Sequence, residues 1–494
     1  MRDNKPSTYN EKLLYSLWKD ELKINSFGID DNFFNLGGNS IQALNIMGKI
    51  SDRYEFQIDK VFEEATIRAI AASMTMNNNW VDNKLYSLFN NSDYLPINAS
   101  EHQRYLSKFS KIKEPYPSST FTSKYTSILL LGSTGFLGSY ILKDLLKFAP
   151  RTEINLIIRA SNKEEAQNRI FEMQRFYFGN KAERLDLSKV NIFVGDLTKR
   201  KWGLSEDDWF KLSNSVDAIL NSAAMVKHFG NYEDFYKTNV EAVRTLLEFS
   251  NLGIIKDIHH ISTIGILFGE QSDINRTIFT EYDFNIGQKL NIPYLRSKFE
   301  AEELLFNARN SGNSINIYRL SGVLFDSQTG VFQKNVDESS AYIFLRALLR
   351  LKIVPNVENF NTDISMVDQI SEALVRLVLF SKNDSQVYHI MNPENIGFST
   401  IMKWLETDGE EFSLMSASDI CAHYKNNQDN DEVHLYFTQL LYYCEIIALI
   451  KENKYNILRD KTVAELGQVG FFWKEIEKSQ LEQAYQYARK IEFI

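Results

Sequence analysis

The stretch Thr126–Leu146, TSILLLGSTGFLGSYILKDLL, limits what this chain can fold into more than any other. Ile128 to Leu131 is a short aliphatic run that predicts a buried strand. Ile141, Leu142, Leu145 and Leu146 then recur at the spacing of one helix face. Between them lies Gly132-Ser133-Thr134-Gly135-Phe136-Leu137-Gly138, a turn of the form GxxGxxG. Gly132 permits a tight exit from the strand, and Gly135 lets backbone N–H groups approach a pyrophosphate. Gly138 lets the helix lie close on the sheet, and the helix N-terminus offers partial positive charge to phosphate. A glycine turn between strand and helix predicts a dinucleotide site in a Rossmann-type, doubly wound parallel α/β sheet. Thr134, Phe136 and Leu137 fall inside that site.

The next segments extend the alternation. Ile154 to Ile158 predicts a second strand ending at Arg159, 21 residues past Gly138. There an NAD site places an acid on the ribose hydroxyls, whereas an arginine pairs with a 2′-phosphate. Arg169 is a second candidate cation and Lys163 a weaker one, so NADPH is expected rather than NADH. Asn191 to Val194 predicts a third strand, followed by Gly195-Asp196-Leu197. Asp196 either accepts from an adenine amino group or caps the next turn. Ala218 to Asn221 predicts a fourth strand, and Ala223 and Ala224 beyond it suit a backbone running beside a cofactor. Lys227 is ambiguous and His228 reads as structural. Asn239, on the next helix, reads as a pin for local backbone.

Ile258 to Ile261 predicts a fifth strand, ending at Ser262-Thr263. Tyr294-Leu295-Arg296-Ser297-Lys298 begins 31 residues after Thr263 and puts a phenol and an ammonium on one helix face. A nearby cation is expected to lower the phenol pKa from about 10, making Tyr294 a proton donor near neutral pH. The same spacing occurs at Tyr15–Lys19 and Tyr177–Lys181, but neither follows a fifth strand. Thr263, Tyr294 and Lys298 are therefore the candidate catalytic set.

At the N-terminus, Thr8 and Glu11 form a capping box ahead of Leu13, Leu14, Leu17, Trp18 and Leu22. GIDDNFFNLGGNS, residues 28–40, leads into a helix with Ile41, Leu44, Ile46 and Met47. A short helix is expected at Val61–Glu64, and Thr66 is expected to cap a fourth with Ile67, Ile70 and Ala71 facing inward. Ser40 reads as a helix N-cap exposed beside two glycines. Asn77 to Ser123 is a polar connector, longer than a passive spacer needs, and part of it is expected to pack on a domain.

DNFFNLGGNS closely resembles the signature of peptidyl or acyl carrier domains, a resemblance covering residues 7–76. It implies Ser40 as the attachment point of 4′-phosphopantetheine. GSTGFLG, NLIIRA, GDL, NSAAMVKHFG, HHISTIG and YLRSK resemble extended short-chain dehydrogenase/reductases. More narrowly they are similar to the thioester reductase domains that end non-ribosomal peptide synthetases, with Val323 standing where that family commonly has Asn. This resemblance covers residues 123–494.

The expected organisation is a four-helix carrier over 1–76, a linker over 77–122, an NADP-binding part over 123–320 and a mostly helical substrate lobe over 321–494. Helical stripes are expected at Tyr342–Leu351, Val367–Phe380, Ile401–Leu405, Leu435–Ile450 and Leu481–Ile491, with Lys425–Glu432 a polar loop. The implied function is NADPH-dependent release of a carrier-bound acyl or peptidyl thioester as an aldehyde. Four-electron reduction to an alcohol, or an NADPH-binding sensor or scaffold, are the alternatives. Upstream adenylation and condensation domains and a phosphopantetheinyl transferase are the implied partners.

The 494 residues, 44% hydrophobic and 24% charged, are those of an ordinary globular chain. A net charge of −9 argues against non-specific nucleic-acid binding. Cys421 and Cys444 lack a CxxC spacing and read as reduced core thiols, with no metal ligand set. No signal peptide and no membrane span are expected, which gives a cytoplasmic expectation.

Overall fold

The computed structural model describes residues 4–51, 53–57, 60–77, 96–112, 121–180, 185–226, 232–269, 276–310, 312–336, 339–355, 361–382, 384–406, 411–427, 430, 432–433, 436–437, 439–440 and 456–494. Lys227, His228, Cys444 and most of the stripe expected at Leu435–Ile450 lie outside the described residues.

Helix α1 (Tyr9–Leu22) starts at the expected capping box, with Thr8 Oγ1 accepting from Glu11 N at 3.2 Å and Glu11 Oε2 from Thr8 N at 2.9 Å. Helix α2 (Ser40–Ile50) comes after the GGNS loop. Strand β1 (Tyr54–Glu55), a π-helical turn Lys60–Glu64, helix α3 (Ile67–Ser73) and strand β2 (Thr75–Met76) complete the unit, β1 and β2 pairing antiparallel. Leu14, Trp18, Phe33, Ala43, Ile46, Ile67 and Ile70 form its core. Of the apolar residues named for α2, Ile41 and Leu44 are 72% and 58% exposed. The buried face of α2 is Ala43, Ile46, Met47 and Ile50, an i, i+3, i+4, i+7 set that turns Ile41 and Leu44 outward.

Part of the connector packs on the segment around Thr277 and Glu281. Helix α4 (Ala99–Lys108) buries Tyr105, whose hydroxyl donates to Glu281 Oε2 at 2.9 Å. Thr277 Oγ1 donates to Glu101 Oε2 at 2.6 Å and accepts from Asn98 N at 2.9 Å.

The sheet has seven parallel strands: β3 (Ser127–Leu131), β4 (Glu153–Ile158), β5 (Val190–Val194), β6 (Ala218–Asn221), β7 (Asp257–Thr263), β8 (Ile315–Leu320) and β9 (Val387–Ile390). Their order is β9-β8-β7-β6-β3-β4-β5, the doubly wound arrangement expected. All five residues of β3 are buried, as a parallel strand covered on both faces requires. Each buried Ile or Leu there stabilises the fold by about 1.5–3 kcal/mol.

Helices α5 (Phe136–Phe148), α6 (Lys163–Phe178), α7 (Glu206–Ser215), α8 (Tyr232–Phe235), α9 (Ala242–Ser250) and α10 (Pro293–Asn310) connect these strands. A π-helical turn, Tyr236–Glu241, joins α8 to α9. The alternation, expected to fade after Leu320, returns to the sheet: α12 (Val367–Phe380) packs with α5 in one apolar cluster and leads to β9. The remaining helices, α11 (Ser340–Leu351), α13 (Phe398–Glu406), α14 (Ala417–Asn426), α15 (Asp460–Gln468) and α16 (Lys478–Lys490), supply the mostly helical C-terminal part. Short strand pairs accompany them, Ile353–Pro355 with Ser413–Met415 and Asn361–Asp363 with Asn395–Gly397. Lys425 and Asn426, expected in a polar loop, instead form the last turn of α14. Cys421 is buried. Among the described residues no helix is long and apolar enough to cross a membrane.

Candidate active site

The carboxyl ends of β3 and β6 adjoin where strand order reverses, the place at which doubly wound sheets bind ligands. Gly132 has φ +85°, and a Cβ there would lie 2.7 Å from Ala223 N. A Cβ on Gly138 would lie 2.0 Å from Gly132 O, so helix α5 approaches the turn as only glycine allows. Gly135 differs. It is exposed, its nearest contact for a Cβ is 3.3 Å away, and it caps α5 without any side-chain hydrogen bond. A Cβ there would press on the Gly132 carbonyl less severely than at Gly138, and the N-terminus of α5 carries no side-chain cap. Ser133 Oγ is buried in the same turn without a hydrogen-bond partner.

Thr134, Phe136 and Leu137 in the turn, Asp196 and Leu197 after β5, and Ala223 and Ala224 after β6 all keep some solvent exposure. Arg159, at the end of β4, is exposed, and its carbonyl accepts from Arg169 Nη1. Asp196 Oδ1 accepts from Thr198 N at 3.0 Å and Thr198 Oγ1 at 2.8 Å, so this oxygen caps the turn. Burial works against its ionised form, but the Thr198 hydrogen bonds and the nearby Arg159 and Lys199 hold its pKa below the usual carboxylate value.

Thr263, Tyr294 and Lys298 converge at the end of β7. Thr263 Oγ1 accepts from Gly265 N at 3.0 Å, and its hydroxyl hydrogen-bonds the Tyr294 phenol. Lys298 Nζ donates to Ile261 O at 2.6 Å and lies 3.3 Å from His260 Nε2. This corrects the expected pKa of Tyr294. Burial pushes the phenol up to about 12, opposed only by the Thr263 hydrogen bond, because the ammonium is directed at β7 rather than at the phenol. Burial likewise pushes Lys298 down to about 8, with Glu302 acting in the opposite sense.

Three residues around this set were not singled out as site residues from the sequence. His260 is fully buried between Lys298 and Asn221, whose Nδ2 lies 3.2 Å from His260 Nδ1. Asn221 Oδ1 accepts from Ala223 N at 3.2 Å, which orients the amide. Burial and the adjacent Lys298 hold His260 well below the usual imidazole range, so it is neutral. Ser297 Oγ donates to Tyr294 O at 2.7 Å and accepts from Asn239 Nδ2 at 2.9 Å. Asn239 also accepts from Met225 N at 2.8 Å and donates to Met225 O at 3.1 Å, so it does pin local backbone, tying the segment after β6 to α10. The HHIST run placed two histidines on β7, but that His260 meets Lys298 depends on a helix more than thirty residues away. Its neighbour His259 bridges Tyr125 and Tyr318, 2.8 Å from each hydroxyl, and is structural.

In the N-terminal unit Ser40 is corrected from N-cap to first helical residue; its side chain lies outside the described residues. Asn39 is the cap. Its Oδ1 accepts from Gln42 N at 3.0 Å and its N–H donates to Gln42 Oε1 at 3.1 Å. The helix therefore starts without needing a serine at position 40.

Comparison with known proteins agrees with this division. Residues 12–74 match the family model described as phosphopantetheine attachment site, and residues 130–374 match the NAD-binding model described as male sterility protein. The chain is 25% identical over 413 residues to a linear gramicidin synthase of Brevibacillus parabrevis, covering 83% of this chain and 8% of that protein. It is 26% identical over 458 residues to L-2-aminoadipate reductase of Saccharomyces cerevisiae, covering 84% of this chain and 31% of that protein. It thus spans less than a third of either relative's length. The solved thiolation-reductase di-domain from an archaeal non-ribosomal peptide synthetase superimposes with TM-score 0.68 at 23% identity, covering 100% of both chains. At that identity the likeness establishes a shared fold.

Proposed function

We propose, for a chain whose residues 12–74 belong to the phosphopantetheine attachment family and whose residues 130–374 belong to the male sterility protein family of NAD-binding domains, reductive release of a carrier-bound acyl or peptidyl thioester. The balance is thioester plus NADPH plus a proton, giving aldehyde, free thiol and NADP⁺. The convergence of Thr263, Tyr294 and Lys298 beside an open glycine turn carries this reading. Upstream adenylation and condensation domains and a phosphopantetheinyl transferase are the partners it requires.

When bound, NADPH supplies a hydride to the thioester carbon. The uncapped N-terminus of α5 and the unpartnered Ser133 Oγ fit its pyrophosphate, and Arg159 with Arg169 fits a 2′-phosphate. Leu197, Ala223 and Ala224 would flank the nucleotide, with Asp196 at the adenine and Asn239 holding the adjoining backbone. The Thr263 and Tyr294 hydroxyls stabilise the carbonyl oxygen as it gains negative charge, and Tyr294 gives it a proton. Lys298 would hold the nicotinamide ribose. A phenol at about 12 keeps its proton in the free enzyme, and Lys298 offers the ribose a cation only while charged.

That last point sets a pH dependence. The Lys298 pKa is depressed to about 8, so its ammonium is present below that pH and lost above it. The profile of kcat/KM for NADPH should fall above about pH 8, since kcat/KM titrates groups of the free enzyme. A flat profile from about pH 7 to 9.5 would remove Lys298 from this role. Arg159→Ala should raise the KM for NADPH by about 10–100-fold and change that for NADH by about twofold or less, as loss of a charge-assisted phosphate contact predicts. Equal losses with both nucleotides would contradict the 2′-phosphate assignment.

A further inference from the structure

Among the described residues the N-terminal unit touches the rest of the chain at two flanks, and the geometry of one of them places the start of α2. On one flank the Met76 backbone hydrogen-bonds the Tyr424 hydroxyl of α14. There the core of the unit continues into one apolar cluster with Phe344, Leu348, Ile420 and Tyr424. On the other, Lys19 Nζ in the last turn of α1 lies 3.0 Å from Asp234 Oδ2 in α8.

Helix α8 rests directly on the helix that holds Tyr294 and Lys298. The Arg296 guanidinium lies over the Tyr232 ring, 4.1 Å from its centroid, and the Tyr232 hydroxyl donates to Glu300. Arg296 sits between Tyr294 and Lys298 in sequence, in the same turns of α10. The first turn of α2 is at the same end of the unit as Lys19, since Gln42 Nε2 donates to Glu21 O at 3.1 Å. A chain of contacts therefore runs from the start of α2, through the end of α1 and α8, to α10.

We propose that this is the delivering position of the carrier on its own reductase, with the Lys19–Asp234 pair setting which end of the carrier faces α10. The pair is at the rim, with side chains 24% and 41% exposed, where an ion pair is weak and readily broken. That suits a contact that forms and releases. Lys19 also lies beside Asp20, whose pKa is raised by burial and further by Asp234. A carboxylate in place of Lys19 would stand against Asp234, a like-charge contact that charge complementarity at an interface penalises beyond the loss of the pair.

The docking stands on the contacts alone; its use in delivery rests on the proposed function. The test uses the full chain with Lys19→Glu, Asp234→Lys and both together. Hydrogen exchange of residues 16–22 and 232–235 should speed up in each single variant and return to wild-type protection in the double variant. With an octanoyl-phosphopantetheine group on Ser40, each single variant should reduce its own acyl group about 3–10-fold more slowly, and the double within about twofold of wild type. Reduction of free octanoyl-pantetheine should be unchanged in all three. Wild-type protection in both single variants, or equal slowing of the loaded and free substrates, would overturn the docking proposal. Exchange that responds as expected in a wild type that reduces no thioester would leave the docking standing and sink the reductase reading.

Discussion

Tyr294→Phe should lower the rate of NADPH oxidation with a pantetheinyl thioester by about 10²–10⁴-fold, the range expected for loss of a positioned proton donor. NADPH affinity should change by only a few-fold, because Tyr294 meets Thr263 and α10 rather than the glycine turn. The Tyr294 side chain keeps some solvent exposure and belongs to none of the apolar clusters, so the fold should survive the change. Single-turnover absorbance of NADPH, with a parallel binding titration, separates the two effects. A variant oxidising NADPH at the wild-type rate would remove Tyr294 from catalysis.

Ser40→Ala should abolish reduction of any acyl group presented on the chain itself. With Ser40 proposed as the attachment point, mass spectrometry should find no phosphopantetheine on this variant after treatment with a transferase. Reduction of free octanoyl-pantetheine should persist, though it forfeits the millimolar effective concentration that tethering provides. Thermal stability should stay within a few degrees of wild type, because Asn39 and Gln42, not Ser40, cap α2. A Ser40→Ala chain that still accepts the arm would move the attachment point elsewhere.

The parts of this site that lie close together in sequence were readable there. The glycine turn, the strand ends at Arg159, Asp196 and Thr263, and the Tyr294–Lys298 pair each come from spacing within one or two elements. The features that escaped depend on contacts between distant segments. The i+4 spacing put the ammonium and phenol on one face, but only the fold shows Lys298 turned toward Ile261 O and His260, leaving burial to dominate the phenol. Ile41 and Leu44 are apolar, and apolarity alone did not reveal that the helix buries Ala43 and Ile50 instead. The return of the chain to the sheet at Val387–Ile390 is likewise a pairing with Ile315–Leu320, invisible to local periodicity. The GGNS loop showed a helix start but assigned the cap one residue late, since Asn39 and Ser40 both have capping side chains.

The most direct measurement loads Ser40 of the intact chain with an octanoyl-phosphopantetheine arm, adds NADPH, and follows both the nucleotide and the protein mass. The predicted result is one NADPH oxidised per acyl group, release of octanal, and a protein mass that returns to that of the chain bearing the free thiol arm. Release of octanoic acid without NADPH oxidation, or an acyl group that stays in place while NADPH binds, would contradict it.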